Sequence, residues 1–180
     1  MKRLTILLLL AFFSLHCEKG APLTFEGENC IEGMPAFDPE PIPHNSQYRL
    51  VFFKNSRIEA QETSGAVTQS IEPGDNLVFL YEYEKNDSPL IADDEYTERI
   101  LFEIPAGIDT FLISGEDLKK SNAIYGNLCF CLDRGHFRID DGCIKGEKVD
   151  GKHWKVAMNI SAQASQTTFS KMLSEIFKEI

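Results

Sequence analysis

The stretch that most constrains the fold is the final third of the chain. Four strand-like runs at residues 127–132, 136–139, 143–149 and 153–161 are separated there by Asp133-Arg134-Gly135, Asp140-Asp141-Gly142 and Asp150-Gly151. Asp-Gly pairs between apolar runs signal hairpins, because these two residues tolerate the positive φ angles of tight turns. In the last run Trp154, Val156, Met158 and Ile160 alternate with Lys155, Ala157, Asn159 and Ser161. A period of two places the first set on one buried face, so a meander of antiparallel strands is expected.

Earlier runs at 48–53, 66–71, 77–84, 99–104 and 110–113 carry the same strand character, with Pro73-Gly74-Asp75-Asn76 and Pro105-Ala106-Gly107 as turn sequences. Residues 47–180 therefore read as one mainly β domain, an antiparallel β-sandwich of immunoglobulin-like architecture. After Ser165 the spacing changes: Phe169, Met172, Leu173, Ile176, Phe177 and Ile180 recur at intervals of three and four. That pattern predicts a C-terminal amphipathic helix covering an open face or end of the sandwich, with docking of a partner as its functional rival.

Ahead of the domain, Pro22, Pro35, Pro39, Pro41 and Pro43 fall in a stretch without apolar periodicity, which predicts an extended tether over residues 17–46. The first residues are of another kind. Lys2 and Arg3 precede an apolar run from Leu4 to Phe13, then Ser14-Leu15-His16-Cys17 and polar Glu18-Lys19-Gly20. The run is about half the roughly 20 residues that a spanning helix needs, so it reads as an export signal.

A lone cysteine at the signal boundary resembles the leaders of bacterial lipoproteins processed by signal peptidase II. The resemblance covers only residues 1 to about 20, and Ser14-Leu15-His16 departs from the usual lipobox. It implies removal of residues 1–16 as a signal peptide and lipidation of Cys17. Several acyl chains, at about 0.8 kcal/mol per buried methylene, would then hold the protein on a membrane. Glu18, in place of the aspartate that favours inner-membrane retention, implies an outer-membrane address in the cell envelope.

The formal charge of −10 repels phosphate backbones and anionic headgroups, so nucleic acid is not an expected partner and the lipid is the expected membrane contact. Besides Cys17 the chain has Cys30, Cys129, Cys131 and Cys143. An oxidising compartment makes them disulfide candidates, with three pairings open. Cys129, Cys131, His136 and Cys143 also form a possible zinc set, but the one-residue spacing of the first two is unlike that of zinc knuckles, and disulfides are the expected state. Asp93, Asp94, Glu95 and Glu98 form an acid-rich run between two strands and are the candidate calcium ligands, though no EF-hand pattern is present. No Gly-x-Ser-x-Gly, His-Glu-x-x-His, phosphate-cradling glycine loop or Cys-x-x-Cys occurs, and no cofactor is expected. The expected function is a non-catalytic binding or scaffolding module for a protein or glycan. The rivals are a hydrolase of glycans or peptides with a dispersed carboxylate site, and a structural component of envelope assembly.

Overall fold

A computed structural model describes residues 46–64, 66–85 and 95–180. The leader, the tether, Cys17, Cys30, Asp93 and Asp94 lie outside the described residues. Nine strands and one short helix follow in order: β1 (Ser46–Thr63), β2 (Ala66–Pro73), β3 (Asn76–Lys85), β4 (Tyr96–Pro105), β5 (Thr110–Ser114), α1 (Glu116–Lys120), β6 (Ile124–Cys129), β7 (Gly135–Lys148), β8 (His153–Gln163) and β9 (Thr168–Glu179). The mainly β expectation holds, but the strands form one nine-stranded sheet and not the two facing sheets of an immunoglobulin-like sandwich.

The sheet runs β1-β3-β4-β6-β7-β8-β9 and returns to β1 through a short parallel pairing, Val51 with Lys178 and Phe52 with Glu179. The ring is therefore closed, which removes most exposed strand edges. Alternation along each strand sends Phe52, Phe79, Phe102, Ile144, Trp154 and Phe177 inward to one continuous core. The Phe79 ring lies at its centre. Ring centroids of Phe52, Phe102, Phe111, Trp154 and Phe177, from five other strands, surround it at 4.9–5.8 Å. These separations suit the offset and edge-on contacts that aromatic quadrupoles favour. The interior is thus filled by side chains.

A second, smaller core lies on the outer face. β1 is bulged between Phe53 and Ser56, with Asn55 at φ 52°, so its second half leaves β3 and pairs with β2 instead. The resulting arm lays Ile58, Val67 and Ile71 over Val78, Leu80, Leu101 and Ile124. Glu103, buried beneath it, accepts the Ile58 backbone N–H and the Asn122 side-chain amide, both at 2.8 Å. Both oxygens of this carboxylate are satisfied, which burial of a charge requires.

Two expectations about local structure are corrected. Asp140-Asp141-Gly142 is no hairpin: the runs on either side are one strand, β7, with a bulge between Ile139 and Asp141. Gly142 has φ 107°, and a Cβ there would stand 2.2 Å from the Asn159 carbonyl oxygen. The bulge bends β7 so that its first part pairs with β6 and its second with β5. The predicted C-terminal helix is the strand β9, antiparallel to β8 along its whole length. Phe169, Leu173 and Phe177 pack against the core in a period of two, while Met172 is left exposed. The charged residues Lys171 and Glu175 hold the intervening inward positions of that phase and hide it, and closure of the ring requires a strand here. Asp150-Gly151 does turn the chain, with Asp150 Oδ1 accepting the Lys152 N–H at 2.6 Å.

Replacing Phe79 by alanine withdraws the ring that five strands share. Phe79→Ala is expected to cost about 4 kcal/mol or more, read as a drop in the urea midpoint, whereas Phe130→Ala on the surface should leave the midpoint within error.

Candidate functional site

Antiparallel pairing gathers the start of β1, the ends of β3, β6 and β8 and the starts of β4, β7 and β9 at one end of the barrel. β1 begins at this end, and the β6–β7 and β8–β9 connections lie there. The opposite end holds a shallow cleft of about 210 Å3 floored by Phe52, Leu77 and Trp154. Its two lysines are already engaged, Lys54 with Glu179 and Lys148 with Asp109.

All five tyrosines of the chain, Tyr48, Tyr81, Tyr83, Tyr96 and Tyr125, meet at the first end. They surround Glu98, which is buried and in phase with inward Ile100, Phe102 and Ile104 of β4. One Glu98 oxygen accepts the Tyr125 hydroxyl at 2.8 Å; the other accepts Tyr81 at 3.3 Å and the Lys171 ammonium at 2.6 Å. Lys171 comes from β9 and also lies over the Tyr81 ring, 5.0 Å from its centroid, a cation–π contact. Burial, reinforced by the Glu98 charge, pushes the Tyr81 and Tyr125 hydroxyls far above the usual tyrosine range, and Tyr96 is raised by the same causes. These hydroxyls stay protonated and act as donors. A carboxylate with both oxygens occupied and phenols that keep their protons make a polar seal for the barrel end.

Of the four candidate calcium ligands, the structure describes two. Glu98 points inward and is bound as above, Glu95 is exposed, and Asp93 and Asp94 lie outside the described residues. Among the described residues no group of three or more His, Cys, Asp or Glu side chains could hold a metal ion. Nor are the cysteines of the considered zinc set available as thiolates. Cys129 and Cys131 are joined to each other, with Cα atoms 5.3 Å apart, and Cys143 is also disulfide-bonded. Their joining follows from the end of β6 at Cys129, where the chain turns and brings Cys131 nearer than an extended strand would.

That turn, the β6–β7 connection, is the most exposed apolar feature described. Phe130 is 76% and Leu132 87% exposed. Its base is firmly held. The Asn127 amide donates to the Asp133 carbonyl at 3.0 Å, and the buried Asp133 carboxylate accepts Ser165 Oγ at 2.5 Å and the Gln166 N–H at 3.2 Å, linking the connection to β8–β9. Those hydrogen bonds to the charged form hold the Asp133 carboxyl below the usual aspartate range. Beside it, His136 lies against Gly126, where an added Cβ would meet the ring at 2.9 Å. Burial, then the Arg99 charge, lowers the His136 pKa.

Sequence reasoning missed Glu98 and Lys171 as partners. The signal was present in each strand: Glu98 extends the inward phase of Ile100-x-Phe102-x-Ile104, and Lys171 interrupts that of Phe169 and Leu173. Two opposite charges in core phase on separate strands are each costly alone, so they imply each other. No family model, curated protein or solved structure matches the chain.

Lys171→Met leaves Glu98 buried without its cation. Because the Lys171 side chain is itself 25% exposed, the expected loss is discounted to roughly 2–3 kcal/mol. Adding Glu98→Gln should restore part of it, as a double-mutant cycle in urea would read. For His136, a folded pKa below the unfolded value of about 6.5 means that the unfolded chain binds the proton more readily. Its contribution is fully present above pH 6.5 and is lost as pH falls toward the lowered folded value. His136→Gln should flatten the stability profile on the acid side of pH 6.5 relative to the parent.

Proposed function

We propose that this chain is a cell-envelope lipoprotein, held in the outer membrane through acylated Cys17, whose β-rich body is a binding or scaffolding module for a protein or glycan partner. The observation that carries the reading is the leader: a two-residue basic start, a short apolar run and a boundary cysteine followed by Glu18. A module that binds on its outside is supported by the aromatic filling of the barrel axis. The candidate contact surface is the end where the tether joins, because exposed Phe130 and Leu132 project from a connection whose base is fixed. The occupied carboxylate of Glu98 gives the hydrolase alternative no support there.

The reading assigns cysteines as well as address. If Cys17 carries lipid, the thiol left for Cys143 is Cys30. Mass spectrometry of the mature protein should find an acylated Cys17 as the first residue, and a non-reducing peptide map should find Cys30 joined to Cys143. Cys17→Ala should release the protein from the membrane fraction. A mature chain that starts elsewhere, or a Cys17–Cys143 bond, removes the anchor from the proposal and leaves the β domain as it is.

A further inference from the structure

We propose that the Cys129–Cys131 pair is a thiol–disulfide exchange site that accepts electrons from a dithiol in an exposed or unfolded polypeptide. This adds a redox step to the module and is independent of the lipid anchor. Four observations converge on the β6–β7 connection. The bond joins residues only two apart, so it closes almost no loop and restrains the unfolded chain far less than a long-range bridge. Cys131 is exposed and Cys129 half-buried, and exposed disulfides are the labile ones. Asn127, itself 4% exposed, aims its amide N–H at Cys131 Sγ at 3.4 Å, while its Oδ1 has no partner among the described residues. Phe130 and Leu132 bracket the exposed sulfur with apolar surface of the kind that an unfolded chain offers in return.

The chemistry balances without a further oxidant. A substrate thiolate attacks the accessible Cys131 sulfur; the S–S bond breaks, and its electron pair leaves on Cys129, which takes up a proton. The second substrate thiolate then attacks the substrate sulfur of the mixed disulfide and expels the Cys131 thiolate, which accepts the Asn127 N–H before it is protonated. The substrate has gained a disulfide, and the cysteine pair has gained two electrons and two protons. A low-molecular-weight disulfide, such as oxidised glutathione, returns the pair to its starting state. Asn127 is a positioning residue for the leaving sulfur, and Phe130 and Leu132 supply affinity for the polypeptide.

The test uses the full chain in detergent. In glutathione buffers of graded ratio, followed by alkylation and peptide mapping, Cys129 and Cys131 should become alkylated while Cys143 stays protected and the unfolding midpoint is unchanged. Mixed in equal amounts with a reduced two-cysteine peptide that carries leucine and phenylalanine, the oxidised protein should convert the peptide to its disulfide. Cys129→Ser/Cys131→Ser should abolish the conversion with little change in melting temperature. Phe130→Ser/Leu132→Ser should slow oxidation of the peptide by about tenfold, the loss expected from two partly buried apolar contacts. The proposal is overturned if Cys129 pairs with a cysteine other than Cys131, if the pair reduces only when the protein unfolds, or if the serine double variant oxidises the peptide as fast as the parent.

Discussion

The structure depends on the contact of one ring, Phe79, with five others. A sheet that closes on itself needs side chains from many strands to meet at the axis, and the seven strands of this ring are few for such a closure. Large rings meet the need: Phe52, Phe102, Phe111, Trp154 and Phe177 reach the centre from β1, β4, β5, β8 and β9 and touch the same partner from β3. Gly146 follows from the same crowding. A Cβ there would lie 2.2 Å from the Phe111 ring, so β7 can pass over that ring only without a side chain. Along the axis the described interior is taken up by these rings, and the cleft floored by Phe52, Leu77 and Trp154 opens at one end.

The end of the barrel where β1 begins shows how its interior stops being apolar. Inward positions near a rim are too deep for free charges and too shallow to remain wholly hydrocarbon. The five tyrosines meet both demands, with rings that continue the aromatic packing and hydroxyls that turn to Glu98. Burying the Glu98–Lys171 pair gains little net energy compared with two well-packed apolar residues. What it supplies is register. Lys171 reaches Glu98 across the barrel from β9, 73 residues away in sequence, and a one-residue slip of β9 would turn the ammonium outward and strand the carboxylate. The closing strand pairs with β1 through only two residue pairs, so a fixed register for β9 has particular value in this fold.

Much of the strand content was legible because it is written in local alternation. Trp154, Val156, Met158 and Ile160 needed nothing beyond period two, and the segments around Phe52, Phe79 and Phe102 are continuous enough in apolar residues to stand out. The misread elements are those where the decisive information is non-local. In β9 the inward set is Phe169, Lys171, Leu173, Glu175 and Phe177, and two charges in that set make a helical spacing look better than the true one. At Gly142 the sequence Asp-Asp-Gly is a sound turn signal, and only the need to pair with β6 and then with β5 converts it to a bulge. The single closed sheet follows from the β1–β9 contact between the two ends of the domain, which no local pattern announces. The polar seal was legible only in part: each charge sits visibly in a core phase, but their partnership needs the closed ring.

The β6–β7 connection draws together the same physical themes. A connection at the rim of a rigid barrel is held where its backbone finds partners, and here they are found below and beside it, through Asn127 and through Asp133 with Ser165 and Gln166. Phe130 and Leu132 lie beyond those ties, and Cys131 between them is held back by the Asn127 amide and by its bond to Cys129. Linking Cys129 to Cys131 turns the two sulfurs toward each other, and Phe130 and Leu132 are left on the outside of the turn, where no core residue can cover them. A chain this acidic could cover such a tip with charge at little cost to folding. Two large apolar side chains beside an exposed sulfur stand there instead, on a base fixed by a buried carboxylate, and exposure of this kind adds nothing to the stability of the barrel that presents it; that is the physical ground on which the proposed contact rests.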